Sequence, residues 1–185
     1  MNTTPKSAQV IWITGLSGSG KTSLAQELAK LLRSLGEHLV ILDGDELREI
    51  FTLDASDEKQ FSRQTRLKLA MHYANLCKLI SSQGVSVVIA TISLFKEVHA
   101  WNRLNFPNYF EVYLNVPLEV LKDRDPKGIY RRFDLGQELG VVGLDIDFDI
   151  PNNPELELKY HPDHTPRKIA DFLLRKIKSE VMLEN

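Results

Sequence analysis

The sequence predicts an α/β domain in which a parallel sheet is covered by helices on both faces. Short apolar runs alternate along the chain with longer segments of helical periodicity. The apolar runs are nearly continuous rather than alternating, as in strands buried on both sides. The third observation is size: 185 residues suit one such domain, spanning residues 1–185, and not two ordinary ones.

Val10-Ile11-Trp12-Ile13 reads as the first strand, ended by Gly15. Residues 21–34 follow as an amphipathic helix, with Leu24, Leu28, Leu31, Leu32 and Leu35 three or four apart and Gly36 as its stop. His38 to Leu42 reads as the second strand. Residues 58–82 carry Leu67, Ala70, Met71, Ala74, Cys77 and Ile80 at helical spacing, with Gly84 beyond the end. Val85–Ala90 and Phe110–Leu114 are the third and fourth strands. Pro117 stands where a helix begins, its missing N–H costing least there. Thr165-Pro166 opens a last helix expected to bury Ile169, Phe172, Leu173 and Ile177. The charged stretch 122–132 and the stretch 133–163, which reads as loop, lie between. Strands alternating with helices imply right-handed crossovers and parallel strands.

With 23 basic and 25 acidic residues, the formal net charge is −2, which argues against general nucleic-acid or anionic-membrane binding. One cysteine, Cys77, excludes an intramolecular disulfide. No apolar run approaches the ~18 residues of a membrane span, and MNTTPKSAQ has no apolar signal core. The expectation is a cytoplasmic protein without nucleic-acid or membrane partners.

Gly15-Leu16-Ser17-Gly18-Ser19-Gly20-Lys21-Thr22 satisfies G-x-x-x-x-G-K-[ST], after a strand and before a helix. Gly15, Gly18 and Gly20 let successive N–H groups, with Ser17 and Ser19 between them, point at phosphate oxygens, and the helix N-terminus adds partial positive charge. Lys21 is expected at the β- and γ-phosphates of ATP, with the Thr22 hydroxyl on Mg²⁺. The class is therefore a P-loop fold of the nucleotide-kinase kind.

Asp43-Gly44-Asp45-Glu46-Leu47-Arg48 follows the second strand, at the sheet edge where such folds bind ligands. A hydroxyl nucleophile needs a carboxylate to take its proton, and an anionic acceptor needs an arginine fork. Asp43, Asp45 and Arg48 supply both. The same turn also reads as a helix start with Asp45 as its N-cap, and the two readings are compatible. Lys122 to Arg132 holds five basic residues in eleven, with Pro126 and Gly128 as helix breakers that can hinge. It is expected to form part of a basic lid over about 122–145 that stabilises the transferring phosphoryl group and excludes water, with Arg124 touching the nucleotide.

GLSGSGKT, LDGDELR, Ile92-Ser93 and EVYLNVPLEVLKDRDPKGIY together resemble the adenylylsulfate kinase family, over about Val10 to Pro151. That resemblance implies an enzyme that phosphorylates the ribose 3′-hydroxyl of adenosine 5′-phosphosulfate with MgATP, in sulfate assimilation, as a homodimer. It implies Asp45 as proton acceptor, Asp43 in the Mg²⁺ shell or orienting Asp45, and Arg48 on the acceptor's anionic end. Phe61 and Arg66 match the family's F-S-x-x-x-R segment, where the ring stacks on the acceptor base and the arginine binds it. Read without the family, they are a core anchor and a solvated helix charge. Ile92 and Ser93 match its I-S-P segment, and Lys127 its lid lysine. Departures cluster on the acceptor side: Glu46 replaces an asparagine, Ala70-Met71-His72 replaces I-R-R, Leu94-Phe95-Lys96 loses a proline and an arginine, and Val141 stands where the family has a second aromatic. An intact ATP side beside an altered acceptor side leaves a second acceptor open: another nucleotide conjugate, such as a cytidine diphosphate derivative used in polysaccharide modification. A nucleotide switch without transfer chemistry is the reading from another class.

Overall fold

The computed structural model describes residues 8–51 and 62–183, with side chains to residue 179. Five strands lie in the order β2-β3-β1-β4-β5, every neighbouring pair parallel: β1 Val10–Gly15, β2 Leu39–Asp43, β3 Ser86–Ala90, β4 Tyr109–Asn115 and β5 Leu156–Lys159. The helices are α1 Lys21–Ser34, α2 Gly44–Phe51, α3 Arg63–Ser81, α4 Lys96–Asn105, α5 Leu118–Arg124, α6 Ile129–Asp134 and α7 Pro166–Leu183.

All six residues of β1 are buried, which explains its continuous apolar sequence. Ile11 and Ile13 face α1 and α7, packing on Leu24, Leu28 and Leu173. Val10 and Trp12 face the other way, onto Ala70, Tyr73, Ala74 and Cys77 of α3 and Val98 of α4. A third cluster, with Leu16, Tyr113, Leu121, Tyr130, Val141 and Val142, underlies the phosphate loop. Burial pushes the Cys77 thiol up to about 12, so it is a packing residue rather than a nucleophile.

Several expectations need correction. The stretch 133–163 is not all loop, because Leu156–Lys159 adds the edge strand β5. Only four residues long and half exposed in alternation, it has too little apolar content to signal itself. The helix α4 also went unrecognised, because its core face carries the polar His99 and Asn102 beside Val98. Phe172 is 37% exposed with the Lys176 ammonium over its ring, and Leu35 is 50% exposed just past α1, so neither is core. The long helix begins at Arg63, where the Ser62 hydroxyl caps the Thr65 N–H at 3.1 Å; its expected start at 58, like Phe61, lies outside the described residues.

Candidate active site

Parallel pairing brings the ends of β1, β2 and β3 to one edge, where they border an open cleft of about 220 Å³. The phosphate loop forms one wall through Ser17, Gly18, Gly20, Lys21 and Thr22. Gly15 lies beneath it: a Cβ there would stand 2.8 Å from the Leu114 carbonyl oxygen, so only glycine lets the loop leave β1 beside β4. Ser19 is buried under the loop, and its hydroxyl has no hydrogen-bond partner among the described residues. Lys21 donates to the Leu16 carbonyl at 2.8 Å. Burial brings its ammonium down to about 8, with Lys127 adding to the fall and Asp45 and Asp43 opposing it.

The Asp43-Gly44-Asp45 turn forms the facing wall. Asp43 uses both oxygens, one accepting the Thr22 hydroxyl at 2.7 Å and the other the Asp45 N–H at 2.9 Å. The capping place at the start of α2 thus belongs to Asp43 and not to Asp45, which leaves the Asp45 carboxylate in the cleft. A Cβ on Gly44 would lie 2.8 Å from Thr91 Oγ1, and the Tyr73 hydroxyl donates to the Gly44 carbonyl at 3.1 Å. The turn is clamped between β3 and α3. Asp45 pairs with the Lys127 ammonium. Desolvation works against its ionisation, but Lys127, Arg48 and Lys21 together hold the carboxyl below the ordinary range. Arg48 also lines the cleft.

The basic stretch closes the phosphate side. α5 ends at Asp125, whose carboxylate accepts the N–H groups of Tyr130 and Arg131 and so starts α6. The Tyr130 hydroxyl donates to the Ser17 carbonyl at 2.9 Å, and Pro126 and Lys127 reach the cleft. Arg124 does not line it, lying instead 4.9 Å over the Tyr160 ring. On the far side, Ile92 and Ser93 line the cleft; Ser93 is buried, has φ +25° and shares a 2.8 Å hydroxyl contact with Thr91. Backbone strain of this kind persists where the surroundings over-determine it, which is common at ligand sites. Arg66 donates to the Gly140 carbonyl at 2.6 Å, and burial, with Arg48 nearby, lowers its guanidinium to about 10.

The sequence missed Leu69, Tyr73, Phe95 and Val142 as lining residues. Leu69 and Tyr73 fall three and seven residues after Arg66, one helix face, and that spacing was the available signal. Phe95, itself unchanged between the altered Leu94 and Lys96, borders the cleft, whereas the altered Val141 packs in the third cluster with Val142 bordering the cleft beside it. Met71 packs among the α3 residues against the sheet. Thr22 and Asp43 offer a hydroxyl and a carboxylate 2.7 Å apart beside the phosphate loop, an all-oxygen pair that fits Mg²⁺ held mainly by phosphates. No helix of the described residues is long and apolar enough to cross a membrane.

The same fold recurs in known proteins. A family model for Adenylylsulphate kinase matches residues 7–159. Cytidine diphosphoramidate kinase of Campylobacter jejuni is 43% identical over 143 residues, 77% of this chain and 81% of that protein. Adenylyl-sulfate kinase of Clostridium kluyveri is 35% identical over 173 residues, 91% of this chain and 85% of that one. The APS kinase CysC of Mycobacterium tuberculosis, solved with AMPPNP and APS, superposes with a TM-score of 0.83 at 31% identity, covering 94% of this chain and 99% of that one. Glycine-rich loop, acidic turn, basic closing segment and overall match agree: the chain belongs to the adenylylsulphate kinase family, ATP-dependent enzymes that phosphorylate a hydroxyl group.

Proposed function

We propose that this kinase transfers the γ-phosphoryl group of ATP to a ribose hydroxyl of a cytidine diphosphate conjugate of the cytidine diphosphoramidate kind. The observation that carries the transfer reading is Asp45, an ionised carboxylate freed from capping and surrounded in the cleft by Lys21, Arg48 and Lys127. The acceptor oxygen attacks the γ-phosphorus, the bond to the β,γ-bridging oxygen breaks, ADP leaves, and the hydroxyl proton passes to Asp45. The acceptor hydroxyl takes the place of the Lys127 ammonium at Asp45, which frees Lys127 for the transferring group. Lys21 and the phosphate-loop N–H groups hold the ATP phosphates, with Ser17 and Ser19 as further nucleotide contacts, while Arg124, stacked on Tyr160 away from the cleft, is left out of that set. Arg48 and Arg66 take the acceptor's anionic end, and Ile92 and Ser93 border its ribose. Thr22 and Asp43 hold Mg²⁺, which when bound neutralises phosphate charge.

The cytidine acceptor is supported by the 43% identity to cytidine diphosphoramidate kinase and by the changed acceptor-side sequence, where Met71 and Lys96 stand in place of arginines and Leu94 in place of a proline. Adenosine 5′-phosphosulfate is the second reading, favoured by the intact Asp-Gly-Asp-x-x-Arg turn and the match to APS kinase. Labelled ATP with a panel of nucleotides tests the proposal. Label is expected on cytidine diphosphoramidate; slow hydrolysis indifferent to every acceptor would mark a switch instead. Light scattering on the purified chain checks the homodimer that resemblance implies.

A further inference from the structure

The first turn of α3 carries two arginines, three residues apart, and each grips a different end of one segment. Arg66 donates to the Gly140 carbonyl at 2.6 Å, and Arg63 donates to the Asp149 carboxylate at 2.7 Å. Within the segment, Asp145 accepts the N–H groups of Gly140 and Val141, and Gly143 donates to the Ile146 carbonyl at 2.9 Å. A Cβ on Gly143 would come within 3.1 Å of Leu16, so the segment packs onto the phosphate loop itself.

Asp149 has a second task. Its carboxylate accepts the Lys96 N–H at 3.0 Å, and its own N–H donates to the Leu94 carbonyl at 3.0 Å. Phe95, at the N-cap of α4, offers no side-chain cap, so Asp149 supplies it from the segment. Arg63 also reaches Glu97 at 3.4 Å and lies 5.3 Å over the Phe95 ring. One guanidinium thus ties α3, α4 and the segment together, and all three carry cleft lining: Leu69 and Tyr73 on α3, Phe95 at the start of α4 and Val142 in the segment.

We propose that Arg63, acting through Asp149, is a positioning residue that sets the acceptor wall of the cleft and hence the affinity for the acceptor's nucleoside part. Arg63 does not line the cleft and takes no part in phosphoryl transfer. The proposal rests on the phosphotransferase reading of that cleft. Only arginine has a planar fork that can serve two carboxylates and a ring together. With side-chain exposures of 39% and 30%, the Arg63–Asp149 pair adds little to global stability, so its loss loosens the wall and not the fold.

The test compares Arg63→Met, Asp149→Asn, the double variant and Arg63→Lys in the full chain. The acceptor KM is expected to rise roughly 3- to 10-fold in Arg63→Met, with kcat and the ATP KM within about twofold. Asp149→Asn should match it, the double variant should be no worse than either single one, and Arg63→Lys should fall between. An unchanged acceptor KM, a fall in kcat alone, or effects that multiply in the double variant would each overturn the proposal. Amide hydrogen exchange gives a readout that needs no acceptor. Residues 140–149 and the first turn of α4 should exchange faster in Arg63→Met while β1 and β4 do not, and unchanged exchange there also overturns it. Failure of the functional reading shows elsewhere, as absence of transfer by the unaltered enzyme.

Discussion

At the residue scale, the proposed function has Lys21 hold phosphate and Asp45 take the proton, whereas Val141 packs in the core. Lys21→Ala is expected to remove most transfer activity, by ~10²-fold or more in kcat/KM for ATP, in a folded protein. Its ammonium sits near 8 in the free enzyme. The charged form binds phosphate, so kcat/KM for ATP should fall as pH rises through about 8, as a pH–rate profile would show. Asp45→Asn should lower kcat ~10²-fold with the ATP KM little changed; a collapse of ATP binding at unchanged kcat would move Asp45 to the metal shell. These residues were legible because their chemistry demands fixed spacings along the chain. Val141 shows where that legibility stops. Matching the sequence to the family marks it as the place of a lost ring, yet the folded chain buries it and brings Val142 to the cleft. Val141→Phe should therefore overpack the cluster beneath the phosphate loop, costing roughly 1–3 kcal/mol in thermal denaturation, and should not tighten an adenine acceptor.

At the scale of elements, α4 and β4 were unequally legible for one reason. β4 announces itself by Phe110, Val112 and Leu114, but its fully buried Glu111 interrupts the run. That carboxylate meets His99 and accepts from Arg103 at 2.8 Å, both from α4, and from the Tyr109 hydroxyl at 3.0 Å. A helix covering a buried charge must itself carry polar groups on its core face, and so its apolar period is lost. Burial alone would raise the Glu111 pKa; His99, Arg103 and Tyr109 outweigh it and hold the carboxyl below the usual range. The lowered folded value means a stabilisation present above the ordinary glutamate range and lost as pH falls through that value. Glu111→Gln should cost about 3 kcal/mol or more, or roughly 6–12 °C in Tm near neutral pH, and less in acid. Gly44→Ala makes the parallel test for the acidic turn. Its methyl would meet Thr91 at 2.8 Å and push β2 and α2 from β3, so activity should fall while circular dichroism stays native.

For the whole molecule, the sheet order puts the phosphate loop, the acidic turn and the Ile92-Ser93 corner side by side, although 78 residues separate the first of them, Gly15, from the last, Ser93. Alternating strands and helices made that edge foreseeable. The segment 140–149 was marked only by the family resemblance, at Val141, because it has neither period; arginines on α3 hold its two ends. If, as proposed, that segment sets the acceptor wall, motifs on the ATP side are read readily while the acceptor is not. One competition measurement tests this most directly: cytidine diphosphoramidate and adenosine 5′-phosphosulfate offered together at equal concentration with limiting ATP. Phosphate appearing predominantly on the cytidine nucleotide is the predicted result; predominant phosphorylation of adenosine 5′-phosphosulfate would contradict it.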